Sequence, residues 1–226
     1  NLLLEDYSQD VMMLMLHASS LGLPYLPVKL MEGSDLEYKW GISAEIRKTI
    51  PKLPDKKLER IPNPFKEGED VIAVPVPRLD TAIISVQKAS INGTCSIEGD
   101  EFHDIDIAIA ARKVIVIAEE IVTEEEIRRD PSKNSVPEFC VDAVVHAPYG
   151  CHPSQLYNYY DYDPAFYKMY DSVTKTDEDF EKFIQEWVID VKDHDGYLAK
   201  LGLPRVSKLR VVPGFQYAAK LVKDGE

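Results

Sequence analysis

Pro148 and Pro153 bracket a short polar stretch, Tyr149, Gly150, Cys151 and His152, that follows the apolar run from Val141 to Ala147. Each residue type brings its own chemistry. Tyrosine and histidine supply hydrogen-bond donors, and glycine lets backbone come close to a ligand. A thiol becomes a nucleophile when an imidazole lies within hydrogen-bond reach. Cys151 and His152 are sequence neighbours and would rarely face each other, so His146 or His103 would be the better partner, and nothing in the spacing requires either. A turn with a structural thiol and a buried histidine is the simpler reading of the same residues.

Glu119 and Glu120 form a second constellation, at the end of the run Lys113 to Ala118. Adjacent residues on a strand point to opposite faces, so they are not a carboxylate dyad. One of them can face a ligand crevice, and a salt-bridged or capping carboxylate is the plainer alternative. His146, Cys151 and His152 do not have zinc spacing, and neither HExxH nor CxxC occurs. Phosphate-binding glycine motifs are absent as well. The block from Tyr157 to Tyr170 holds seven aromatic residues among aspartates, which does not suit a nucleic-acid stacking platform but does suit a subunit interface.

These residues need a scaffold, and the pattern supplies one. A helix is expected from Gln9 to Leu21, with Ser8 as its cap and Gly22 as its stop. His17 on that helix reads as a hydrogen-bonded structural residue. Pro24 to Leu30 is extended, and a short helix is expected over Ala44 to Ile50. The proline-rich Pro51 to Gly68 reads as a surface excursion. Val71 to Val76, interrupted by Pro75, reads as a strand end or an edge. Thr81 to Val86, Lys113 to Ala118 and Val141 to Ala147 read as buried strands. Asn92-Gly93 marks a tight turn. Helices are expected within His103 to Arg112, after the Thr123 cap, over Asp177 to Val191 and over Gly196 to Leu201, with a closing strand at Val206 to Val212. Strand and helix alternate, which predicts an α/β fold with an open, mainly parallel sheet flanked by helices, in one domain over residues 1–226. Ligands then bind where loops leave the carboxyl ends of the strands, as the Tyr149 to His152 loop does.

The whole composition narrows the partners. The 226 residues carry a net charge of −13, which repels phosphate backbones and anionic membrane surfaces. No apolar run approaches the ~20 residues of a membrane helix. Three cysteines without a CxxC pair suggest free thiols in a reducing cytoplasm.

Several blocks together resemble the A (alpha) subunits of the family I CoA-transferases. They are EDYSQDV at Glu5 to Val11, LGLPYLPV at Leu21 to Val28, KWGIS at Lys39 to Ser43 and VIAVPVP at Val71 to Pro77. The long block from Glu125 to Gln155, YDYD at Tyr160 to Asp163, and Glu186 to Gly202 complete the set. The resemblance implies a cytoplasmic hetero-oligomer, (AB)n, that moves CoA from acetyl-CoA to glutaconate or (R)-2-hydroxyglutarate by covalent ping-pong chemistry. It places the nucleophilic glutamate in the B (beta) subunit, so no catalytic residue is expected in this chain. No metal and no resident cofactor is implied, since CoA thioesters are substrates. The alternatives are an acyl-CoA hydrolase or decarboxylase subunit of the same fold, or a non-catalytic scaffold. In the family, a first strand and a glycine-rich turn precede the EDYSQDV block. That piece is expected to exist physically, as a separate fragment or a segment outside this sequence. On this reading Gly33 and Ser34, with Tyr149, Gly150 and His152, are the candidate walls of a dicarboxylate pocket.

Overall fold

The computed structural model describes residues 2–39 and 41–218. Trp40, in the KWGIS block, lies outside them. The chain divides into two compact units, residues 1–82 with 102–114 and residues 83–101 with 115–226. No linker or composition shift announces that division in the sequence.

In the first unit α1 (Gln9–Ser20) begins where the Ser8 hydroxyl accepts the Val11 amide, with Asp10 in the positive first turn. It ends before Gly22, whose φ of +70° suits glycine. Strands β1 (Tyr25–Val28), β2 (Glu59–Pro62) and β3 (Asp70–Pro75) pair antiparallel in the order β1-β3-β2. Of the two readings of Val71 to Val76, the edge is corrected, because β3 is the middle strand, and the strand end holds. Its Pro75 is the last residue, opposite Tyr25, where a missing amide interrupts nothing further along. Between β1 and β2 lie the one-turn helices α2 (Asp35–Tyr38) and α3 (Ala44–Arg47), the latter shorter than expected. Helix α4 (Asp104–Ala110) packs on α1, and His17 Nδ1 lies 2.9 Å from Asp106 Oδ1, a structural contact as expected. Val11, Val28, Met31, Ile72 and Val74 form this unit's core.

The second sheet contains β4 (Ala82–Ala89), β5 (Cys95–Ser96), β6 (Val114–Ile121) and β7 (Ala143–His146), in the order β5-β4-β6-β7. Strands β6 and β7 are parallel, with Ile115 beside Ala143 and Ala118 beside His146. Strands β4 and β6 are parallel too. The Ala82 amide donates to the Lys113 carbonyl and the Val122 amide to the Ala89 carbonyl, so starts pair with starts and ends with ends. Only β5 runs back, across the Asn92-Gly93 turn, where Gly93 has a φ of +100°. This is the open, mainly parallel α/β arrangement read from the sequence. The expectation of a buried strand over Val141 to Ala147 is corrected. Strand β7 is the last in the described sheet and three of its four residues are exposed. β-branched composition does not distinguish an inner strand from an edge strand.

Helices α5 (Glu124–Ile127), α6 (Pro164–Val173), α7 (Asp177–Ile184), α8 (His194–Leu201) and α9 (Leu203–Leu209) complete the unit. Helix α7 continues as a π-turn over Gln185–Ile189 in place of one uniform helix to Val191. The expected strand at Val206 to Val212 is also corrected. Gly202 at φ +83° and Pro204 in the first turn start α9, whose buried Val206 and Leu209 share one face at helical spacing. No helix among the described residues is long and apolar enough to cross a membrane.

Candidate functional site

The carboxyl ends of β6 and β7 meet the loop singled out in the sequence. Glu119, near the end of β6, is buried, and its Oε2 accepts the Tyr149 amide at 2.7 Å. Glu120 points away to the surface, with Lys88 at 3.8 Å, as strand alternation requires. Burial pushes the Glu119 carboxyl up to about 7; the Tyr149 amide and the Arg210 charge pull the other way, and Glu120 adds to the rise.

Each residue of the loop is pinned. Tyr149 takes a φ of +61° and its ring packs on Tyr160, with centroids 4.7 Å apart. The Gly150 amide donates to the Ala147 carbonyl at 2.8 Å. A Cβ at Gly150 would lie 2.8 Å from that same oxygen and 2.8 Å from Ile117 Cγ2. The close approach that this glycine permits is one to the sheet. The Cys151 amide donates to the Tyr160 hydroxyl at 3.0 Å, and the His152 amide to the Tyr149 carbonyl at 3.0 Å. All four loop amides, from Tyr149 to His152, thus have internal acceptors.

His152 is buried with both ring nitrogens engaged, Nδ1 with the Tyr197 hydroxyl at 2.6 Å and Nε2 with Asp163 Oδ2 at 3.0 Å. Burial lowers its pKa, and Asp163 opposes that only in part. Burial would raise the Asp163 pKa, but hydrogen bonds from Arg205 and His152 overcome it and hold the carboxyl down at about 2. This buried triad, with Phe166 edge-on to His152 at 5.0 Å, clamps the loop's far end. No hydrogen bond joins a cysteine to a histidine among the described residues, so the nucleophilic pair considered from sequence is not assembled. The same residues hold no group of three or more His, Cys, Asp or Glu suited to a metal ion.

Gly33 and Ser34 lie in the other unit. The Gly33 amide donates to Glu37 Oε2 at 2.8 Å, and the Ser34 hydroxyl to the Met31 carbonyl at 2.6 Å. The structure places Tyr149, Gly150 and His152 in one pinned loop whose first amide is held by Glu119. It also adds Arg210, whose charge reaches both Glu119 and Tyr149. Sequence reasoning missed Arg210, because it sits in the run read as a closing strand and no motif surrounds it.

An open, mainly parallel sheet with a loop-and-carboxylate cluster at its strand ends defines the class, an α/β protein with a candidate site at the carboxyl ends of its strands. The family model described as Coenzyme A transferase matches residues 1–147, and the chain belongs to the coenzyme A transferase family. It is similar to the A chain of glutaconate CoA-transferase of Acidaminococcus fermentans, 59% identical over 223 residues, which is 99% of this chain and 70% of that one. The crystal structure of glutaconate coenzyme A-transferase from the same organism superposes with a TM-score of 0.92 at 60% identity, covering 96% of this chain and 68% of that one. The corresponding chain of 3-oxoadipate CoA-transferase of Pseudomonas knackmussii is 32% identical across 81% of this chain and 59% of its own length. The activity class is thus that of a CoA-transferase working as part of a complex with a partner subunit.

Proposed function

We propose that this chain is the alpha subunit of a heteromeric, cytoplasmic CoA-transferase, (AB)n. The complex moves CoA from acetyl-CoA to glutaconate or (R)-2-hydroxyglutarate, in the hydroxyglutarate route of glutamate degradation. The observation that carries the reading is the 59% identity, over 99% of the chain, to a protein named as part of a glutaconate CoA-transferase.

The chemistry needs an ionised carboxylate open to a thioester. In the proposed cycle a glutamate of the beta subunit adds to the thioester carbonyl and expels CoA thiolate, leaving a mixed anhydride. The thiolate attacks the glutamyl carbonyl and releases acetate, so the enzyme holds a glutamyl thioester. The acceptor carboxylate then attacks that carbonyl and expels CoA thiolate, giving a second mixed anhydride, and the thiolate attacks its acceptor carbonyl and frees the glutamate. CoA and the acids are substrates, and no resident cofactor takes part. Glu119 is poorly suited to be the nucleophile, being buried, hydrogen-bonded to a backbone amide and about half neutral at pH 7. The alpha subunit instead walls the acceptor side of a shared cleft. The Tyr149 hydroxyl is the loop's outward donor, while Gly150 and His152 hold the loop in shape.

The test is CoA exchange by the intact two-subunit complex supplied with acetyl-CoA and either glutaconate or 2-hydroxyglutarate. Appearance of the dicarboxylate thioester with release of acetate is expected. Hydrolysis of acetyl-CoA without exchange, or no reaction, would contradict the proposal.

A further inference from the structure

Arg210 is exposed and has no ion-pair or hydrogen-bond partner for its side chain among the described residues. Its backbone is nevertheless fixed. Arg210 bridges to Tyr160, flanked by hydrogen bonds from the Asp161 amide to the Leu209 carbonyl at 2.9 Å and from the Val211 amide to the Tyr159 carbonyl at 3.1 Å. Tyr160 packs on Tyr149, and the Tyr149 amide is held by Glu119. One continuous set of contacts therefore carries the Arg210 backbone and the Tyr149 ring to the same strand ends. The Tyr149 hydroxyl has no hydrogen-bond partner among the described residues, and burial raises its pKa, so it remains a donor at neutral pH.

We propose that Arg210 and the Tyr149 hydroxyl form a carboxylate-recognition subsite that takes the free, non-reacting carboxylate of a dicarboxylic acceptor. A guanidinium beside a hydroxyl offers the directed donors that a planar monoanion accepts. Glu119 close by disfavours a dianionic phosphate, while a single carboxylate is balanced by Arg210. The subsite explains how a transferase of this type distinguishes a dicarboxylate from acetate, because acetate leaves the Arg210 position unused. This rests on the function proposed above.

The experiment uses the intact two-subunit complex with Arg210→Gln, Arg210→Lys and Tyr149→Phe. Arg210→Gln is expected to raise KM for glutaconate by about ten-fold or more, the loss of one charge-assisted contact. KM for acetate as acceptor should stay within about two-fold of the wild type. Tyr149→Phe should act in the same direction with a smaller change, and Arg210→Lys should recover part of the loss. Equal effects on glutaconate and acetate, or no effect on either, would overturn the subsite. Calorimetric binding of glutarate, weakened at least about ten-fold in Arg210→Gln, reads the subsite without turnover. Tight glutarate binding in a wild-type complex that transfers no CoA would sink the proposed function and leave the subsite standing. Unchanged glutarate binding in folded Arg210→Gln would sink the subsite alone.

Discussion

His152 and Glu119 illustrate how burial reassigns a residue that sequence can only name. Both carry groups able to do acid-base chemistry, yet His152 is locked between Tyr197 and Asp163. Its type and its proline bracket were legible in the sequence. Its partners were not, because Asp163 and Tyr197 come from distant segments. Glu119 is the opposite case. The sequence reads it as a salt-bridged or capping carboxylate, and it does accept a backbone amide, but in a site that desolvates it. Its raised pKa has a consequence for stability. A carboxyl whose folded pKa lies near 7 favours folding fully below its unfolded value of roughly 4.3. That contribution is lost as pH rises through the folded pKa. Glu119→Gln keeps an acceptor for the Tyr149 amide and removes the titration. Denaturant unfolding of the variant, compared with the wild type between about pH 4.5 and 8, should lack a decline on the order of 3 kcal/mol. Parallel pH profiles for the two proteins would mean that Glu119 is not desolvated in solution.

At the level of elements, the sequence was clearest where one local rule decides. Ser8, Ser43 and Thr123 cap their helices through side-chain oxygens as their positions suggest. The valine and isoleucine runs of β4 and β6 are strands. Reading failed where tertiary context decides. A β-branched run at Val206 became a helix, and β7 went to the sheet edge. The aromatic residues spread over Phe166 to Tyr197 reveal their purpose only in three dimensions. Phe166 of α6 lies edge-on to Phe183 of α7 at 6.3 Å and to Trp187 at 5.0 Å, over Leu201 of α8 and Val206 of α9. This cluster supports the wall in which His152 is set. Phe166→Ala should lower the stability of the unit by about 3–5 kcal/mol, from lost burial and the cavity left behind. A midpoint shift in denaturant at constant slope is the readout. A loss below ~1 kcal/mol would mean that the cluster does not form a packed core.

For the molecule as a whole, a chain that reads from sequence as one domain divides into two compact units. The family was legible from blocks spread along nearly the whole chain. The site was legible only in part, since the proposed carboxylate subsite, drawn from a loop and the residue after α9, has no linear signature. Glu119 serves as a buried hydrogen-bond acceptor and Asp163 as the clamp on His152, while the reactive carboxyl group is proposed to lie on the partner chain. Borohydride reduction of the two-subunit complex during exposure to acetyl-CoA, followed by peptide mass analysis of both chains, tests that division of labour most directly. The account predicts a reduced glutamyl group on the beta subunit, with this chain unmodified. A modified Glu119, or any other modified acid in this chain, would contradict it.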